Sequence, residues 1–164
     1  GGTKNYLTAL KVLTDNAISD RDRDFINDAA EGNLMEIKLG QLAQTNGSLD
    51  AVKQFGLQMV NDHAASAQEL KMLAGKKGIA VPAMINSKQQ KAYDKLSKLT
   101  GKEFDKAYIK CMVKDHKKDV KEFKKEADKS NDADIKSWAN TTVSTLQQHE
   151  QMAEDTCKAM KDEK

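Results

Sequence analysis

The sequence predicts an all-α protein, a single four-helix bundle, and three observations carry that expectation. Aromatic residues make up only 5% of the 164 residues and charged residues 32%, with one proline. A sandwich or barrel would want more aromatic and β-branched residues and more turn signals. Four long segments repeat apolar residues at alternating three- and four-residue intervals, the period of an amphipathic helix. Clusters of glycine, asparagine and serine punctuate them where helices would end.

Residues 1–20 read as a polar tail or a short leading helix, and the bundle is expected over residues 21–164. Asp24 is a candidate N-cap for the first long helix, followed by Phe25, Ala29, Gly32, Glu36, Leu39 and Ala43 on one face. Asn46-Gly47 closes that helix, and Ser48 is placed to cap the next. The second seam runs Val52, Gly56, Met59, His63, Ser66, Leu70 and Leu73, stopping between Gly75 and Gly78 with Pro82 beyond.

A connection of about two dozen residues follows, longer than bundle loops usually are. It carries a short helix of its own, opened by a capping box at Ser87-Lys88-Gln89-Gln90. Thr100-Gly101-Lys102-Glu103 offers a second capping box, for a third long helix with Phe104, Tyr108, Met112, His116, Val120, Phe123 and Ala127 inward. Ser130-Asn131-Asp132 breaks it. The fourth seam is expected at Ile135, Trp138, Thr142, Thr145, His149, Met152 and Thr156. Tight first and third turns around a long middle connection predict a crossover, the ferritin-like topology. An up-down-up-down bundle with a decorated loop is the alternative.

Polar residues on these seams are the informative feature. Glu36, His63, His116 and His149 lie one per helix, and every histidine in the chain is on an inward stripe. Counted from the two tight turns, Glu36 and His63 fall within about one helical turn of equal height, and so do His116 and His149. Polar groups at core positions are costly unless paired. Three imidazoles and a carboxylate suit one divalent transition metal ion: zinc, iron, manganese or copper. A buried, metal-free hydrogen-bond cluster is the competing reading. Met59, Met112 and Met152 sit one turn from the histidines, on the same side of them if the second and third helices run parallel. They are candidate soft ligands that would favour copper, although methionine is also a common core filler.

Met59-Val60-Asn61-Asp62-His63 is echoed by Met112-Val113-Lys114-Asp115-His116. Each Asp points about 100° away from its neighbouring His around the helix, so a supporting or surface role is expected for it rather than ligation of the same metal. Cys111 and Cys157 permit one disulfide, with two separate thiols favoured because a bridge needs Cα atoms closer than ~7 Å.

With 27 basic and 25 acidic residues the net charge is +2, which gives no electrostatic footprint for nucleic acid. No apolar run approaches the ~20 residues of a membrane span. No nucleophile elbow or glycine-rich phosphate loop is present, so an enzyme is not the favoured class. The chain opens Gly1-Gly2-Thr3, which reads as a trimmed or processed start with any signal peptide outside it.

Glu36-Ile37-Lys38-Leu39-Gly40, Met59 through His63, Gly78-Ile79-Ala80-Val81-Pro82, Gly101 through Asp105, His116 and Leu146-Gln147-Gln148-His149 occur in that order. Together they resemble the bacterial domain of unknown function 4142 family, over about residues 22–160. The resemblance implies a ferritin-like bundle and export to the periplasm or cell envelope, and it implies no activity. Glu36, His63, His116 and His149 match its pattern as a candidate site. Di-iron carboxylate proteins are matched poorly, because Val60, Val113 and Leu146 stand where their Glu-x-x-His motif needs acids. The expected function is therefore that of an exported bundle binding one metal ion, with a storage, buffering or stress-protection role. The alternative is a non-catalytic structural or interaction protein of the envelope.

Overall fold

Five helices, α1 (Asp20–Asn46), α2 (Asp50–Lys76), α3 (Ser87–Ser97), α4 (Gly101–Lys129) and α5 (Ala133–Asp162), account for nearly all of the computed structural model, which describes residues 17–162. The expected tail or leading helix over residues 1–20 lies outside these as far as residue 16. No strand occurs among the described residues.

Local chemistry explains where the helices begin, sometimes a few residues from the expected place. Ser19, not Asp24, caps α1, its hydroxyl accepting from the Asp22 amide at 3.1 Å. Asp24 lies inside the first turns, because the polar run before it is itself helical. α3 is opened by a capping box one residue earlier than expected, Asn86 with Gln89. Two overlapping boxes are legible there, and the chain uses the asparagine. Thr100 does precede α4 but makes no side-chain cap bond, and Gly101 takes a positive φ of 62° as the chain turns in. Ser48 does not cap α2 either. Asp105, on α4, accepts from the amides of Ser48 (3.0 Å) and Leu49 (2.9 Å), so a buried carboxylate from another helix caps α2. Asp132 caps α5 through the amides of Asp134 and Ile135, both at 3.0 Å.

Those same contacts fix the topology. Asp105 near the start of α4 lies at the α1–α2 turn, and Asn46 donates to the carbonyls of Ser97 and Leu99 beside it. At the other end Lys77 bonds Asp132 and Asp134, and Ser130 bonds Asp22. The long connection therefore climbs the whole bundle, α2 and α4 run parallel, and the up-down-up-down alternative is excluded. α1 packs along α2 and α4 along α5 extensively, whereas the α2–α5 and α1–α4 seams are looser. The α1–α2 pair is tight because Gly40 and Gly56 face each other: a Cβ on Gly40 would lie 2.5 Å from the Gly56 carbonyl oxygen.

Two apolar clusters fill the bundle. The upper one, toward the α1–α2 turn, holds Leu39, Phe55, Met59, Phe104, Tyr108 and Met112, all essentially inaccessible. The lower one is built from smaller residues, among them Ala29, Ala30, Ala74 and Ala139, with Ile26, Leu70 and Phe123. The inward stripes of α2 and α4 are almost as expected. On α5 the buried face is Ile135, Ala139, Val143, Leu146, His149 and Ala153. Of the expected α5 seam only Ile135 and His149 are buried, and Trp138, Thr142, Met152 and Thr156 are half-buried while Thr145 is exposed. Thr142 and Thr145 face a cavity rather than a neighbouring helix, so the small polar face there does not need to be covered.

Candidate metal centre

The polar residues form a layer between the two clusters. His63 on α2, His116 on α4 and His149 on α5 follow Met59, Met112 and Leu146 along their helices, so the heptad-like spacing that builds the core also delivers three imidazoles to one level. All three are buried, at 5%, 0% and 2% exposure. One nitrogen from each ring lies within 4.8 Å of one from each of the others. Ring centroids are 6.0 Å apart for His63–His116, 5.2 Å for His63–His149 and 5.4 Å for His116–His149.

Each ring is held by its second nitrogen. His63 Nδ1 bonds the Asn33 Oδ1 at 2.9 Å, His116 Nδ1 bonds the Met112 carbonyl at 2.8 Å, and His149 Nε2 bonds the Asp62 carboxylate at 2.7 Å. The Asn33 amide nitrogen faces Ser66 Oγ at 3.5 Å, which turns its oxygen toward His63. All three partners are acceptors, so each bonded ring nitrogen carries the proton. The remaining atoms, His63 Nε2, His116 Nε2 and His149 Nδ1, have no hydrogen-bond partner. In a neutral imidazole such an atom is a lone pair. Burial, reinforced by the neighbouring rings, holds His63 well below its ordinary pKa; burial also brings His116 down to about 4. Both rings are therefore neutral at pH 7.

This is the arrangement of metal-binding histidines, in which the non-ligating N–H is fixed by a carbonyl or carboxylate. A tetrahedral ion with bonds of about 2.0–2.1 Å holds its nitrogens about 3.4 Å apart. The 4.8 Å within which the three ring nitrogens lie is wider than that spacing.

Glu36 is buried on α1 but does not join the group of ligand atoms within 4.8 Å. Burial, then the charges of Asp119 and Asp115, raises its carboxyl well above the usual carboxylate range, and its Oε2 has no partner. The Tyr108 hydroxyl is also buried without one, and burial and the Glu36 charge push its pKa up. Met59, Met112 and Met152 all pack in the upper apolar cluster, on one side of the histidine layer as parallel α2 and α4 require. Asp62 bonds the histidine of another helix rather than its own neighbour, while Asp115 accepts from the Cys111 thiol at 3.3 Å. Cys111 and Cys157 are free thiols. Asn33 was not legible as part of the site. Its one signal is its place one turn before Glu36 on the inner face of α1.

A cavity of about 750 Å³, open to solvent, reaches His63 and His149 and is lined by residues of all four long helices. Asp119 in its wall is raised to about 7 by burial and by Asp115 and Glu122. No helix of the described residues is long and apolar enough to cross a membrane.

Comparison with known proteins bears on the fold and the family. The solved structure titled "Crystal structure of DUF305 fragment from Deinococcus radiodurans" superimposes with a TM-score of 0.73 at 12% sequence identity, covering 85% of this chain and 96% of that one. At that identity the likeness speaks for the helical-bundle fold alone. No curated protein matches the chain. The family model described as "Domain of unknown function (DUF4142)" matches residues 7–156, and this chain, with its three converging histidines, belongs to that family.

Proposed function

We propose that this protein binds one divalent transition metal ion through His63 Nε2, His116 Nε2 and His149 Nδ1. One observation carries the proposal: three buried imidazoles, each with one nitrogen fixed by an acceptor, leave three unpartnered nitrogens at one level of the core. An apolar core gains nothing from three unpartnered polar nitrogens, whereas a metal ion satisfies them together. Imidazole donors suit zinc, iron and copper, and manganese remains within the set. Glu36 and the three methionines are left out of the ligand set. Glu36 lies outside the group of converging ligand atoms, burial disfavours its charged form, and the methionines pack in the upper cluster.

The role proposed for the bound ion is storage or buffering under stress, in a ferritin-like bundle exported to the periplasm or envelope. Export is part of the proposal, as what the family resemblance implies. Metal content of the protein purified without chelator tests the binding. Wild type is expected to hold one ion per chain, His63→Ala none, and Asn33→Ala to bind 10–100-fold more weakly because the ring loses its support. Equal metal content in wild type and His63→Ala, or none in either at saturating supply, would return the protein to the alternative of a metal-free structural bundle.

A further inference from the structure

We propose that the cavity beside the triad is the path by which a divalent cation reaches and leaves it, so that the ion is exchangeable cargo rather than a locked structural part. This rests on the metal-binding proposal and extends it to how the site is loaded.

Two independent observations support it. The first is where the cavity leads: His63 and His149 form part of its wall, so it reaches two of the three rings, whose unpartnered nitrogens are themselves buried. His116, fully buried, does not line it. An ion bound by the three rings would therefore be approached from the His63–His149 side. The second is charge. Seven carboxylates line the cavity against two cations, Arg21 and Lys125. Two of the seven are weak contributors, since burial raises Glu126 to about 8 and Asp119 to about 7. Asp24, Asp28, Asp62, Glu69 and Glu122 remain, an excess of negative charge on a chain whose overall balance is +2. Clefts lined by one sign of charge concentrate counter-ions and raise association rates by about 10–10³-fold, an effect that salt removes.

The walls also suit passage. They include small or short polar residues such as Gly32, Ser66 and Thr142, and the α1–α4 and α2–α5 seams of the bundle are the loosely packed ones. An anionic substrate would be repelled by the same walls.

Stopped-flow mixing of the metal-free full chain with Co(II), read by the visible absorption of the bound ion, tests this. The double variant Asp28→Lys/Glu122→Lys reverses two exposed wall charges that touch none of the three rings. It is expected to bind about 10-fold more slowly at low salt, to show a weaker salt dependence, and to reach the same final spectrum as wild type. Asp94→Lys/Glu103→Lys, two exposed carboxylates that do not line the cavity, is expected to bind at the wild-type rate. Equal rates for wild type and the wall variant, or equal slowing by the remote variant, would overturn the proposal. No spectrum from wild type at saturating Co(II) would overturn metal binding itself and the loading path with it.

Discussion

The halves of the bundle above and below the histidine layer are built on opposite terms. Above it, large side chains are packed without exposure, Phe104 against Tyr108 with ring centroids 5.4 Å apart and Phe55 against Tyr108 at 6.0 Å. The backbones of α1 and α2 approach until Gly40 and Gly56 touch, and Asp105 stitches α4 to the α1–α2 turn. Below it, alanines replace large residues, a cavity of about 750 Å³ opens, and two carboxyls, Asp22 and Glu126, are buried together beside Ser130. The difference teaches that the upper half supplies stability and position, while the lower half gives up packing for access. A site at the boundary takes rigidity from one side and solvent from the other.

The largest expected effect sets one phenylalanine against another. Phe104→Ala, which removes a fully buried ring of the upper cluster, should cost about 3–5 kcal/mol. Phe123→Ala, in the cavity wall, should cost at least about 1 kcal/mol less, because its buried ring borders an existing cavity instead of being enclosed on every side. Urea unfolding of both variants checks this, and equal losses would erase the distinction between the halves.

Two glycines of α1 sharpen it. A methyl at Gly40 meets the Gly56 carbonyl oxygen at 2.5 Å and Val60 Cγ2 at 2.8 Å, so Gly40→Ala should destabilise by about 1–3 kcal/mol as the helices are forced apart. Gly32, one half lower on the same helix, has nothing within 4 Å of its Cβ position. Gly32→Ala should stabilise by roughly 0.5–1 kcal/mol through helix propensity. Opposite signs in thermal melts are expected, and a shared sign would show the lower seam to be as closed as the upper.

The smallest effect is one of pH. Burial and the hydrogen bond with Asp22 raise Glu126 to about 8 from an ordinary value of 4.5. The folded protein thus holds a proton that the unfolded chain releases. The contribution of this group to stability is fully present below pH 4.5 and is lost as pH rises through about 8. Glu126→Gln should flatten the decline of stability over that window relative to wild type. An unchanged pH profile in the variant would mean that Glu126 ionises freely in the fold.

Much of this was legible in the chain. The α4 stripe from Phe104 to Phe123 is buried as its spacing requires, and the turns at Gly47 and Ser130 stand where the punctuation put them. The three histidines converge because helical period and distance from a tight turn are both readable as arithmetic. The caps were less legible. Asp105 serves a helix some 56 residues away in sequence, and no local pattern marks such a partner. Asn33 is nearly silent, because a polar residue that supports a ring from another helix looks in sequence like any polar residue on a helix. For Asp62 a supporting or surface role was expected, but not that it would hold the His149 ring of another helix. The α5 seam misled for a related reason: Thr142 and Thr145 keep the period of a core stripe but border a cavity.

By itself, then, the sequence determined the helices, the inward faces of α2 and α4 and the level of the histidines, since these follow from repeat and punctuation within one segment. Only the tertiary structure decided which nitrogen of each ring is held and which is free, that Glu36 stands apart from the three, and that a solvent-open cavity meets the layer from below. Those outcomes depend on rotamers and on gaps between helices, which are set by what the neighbouring chain segments leave unfilled.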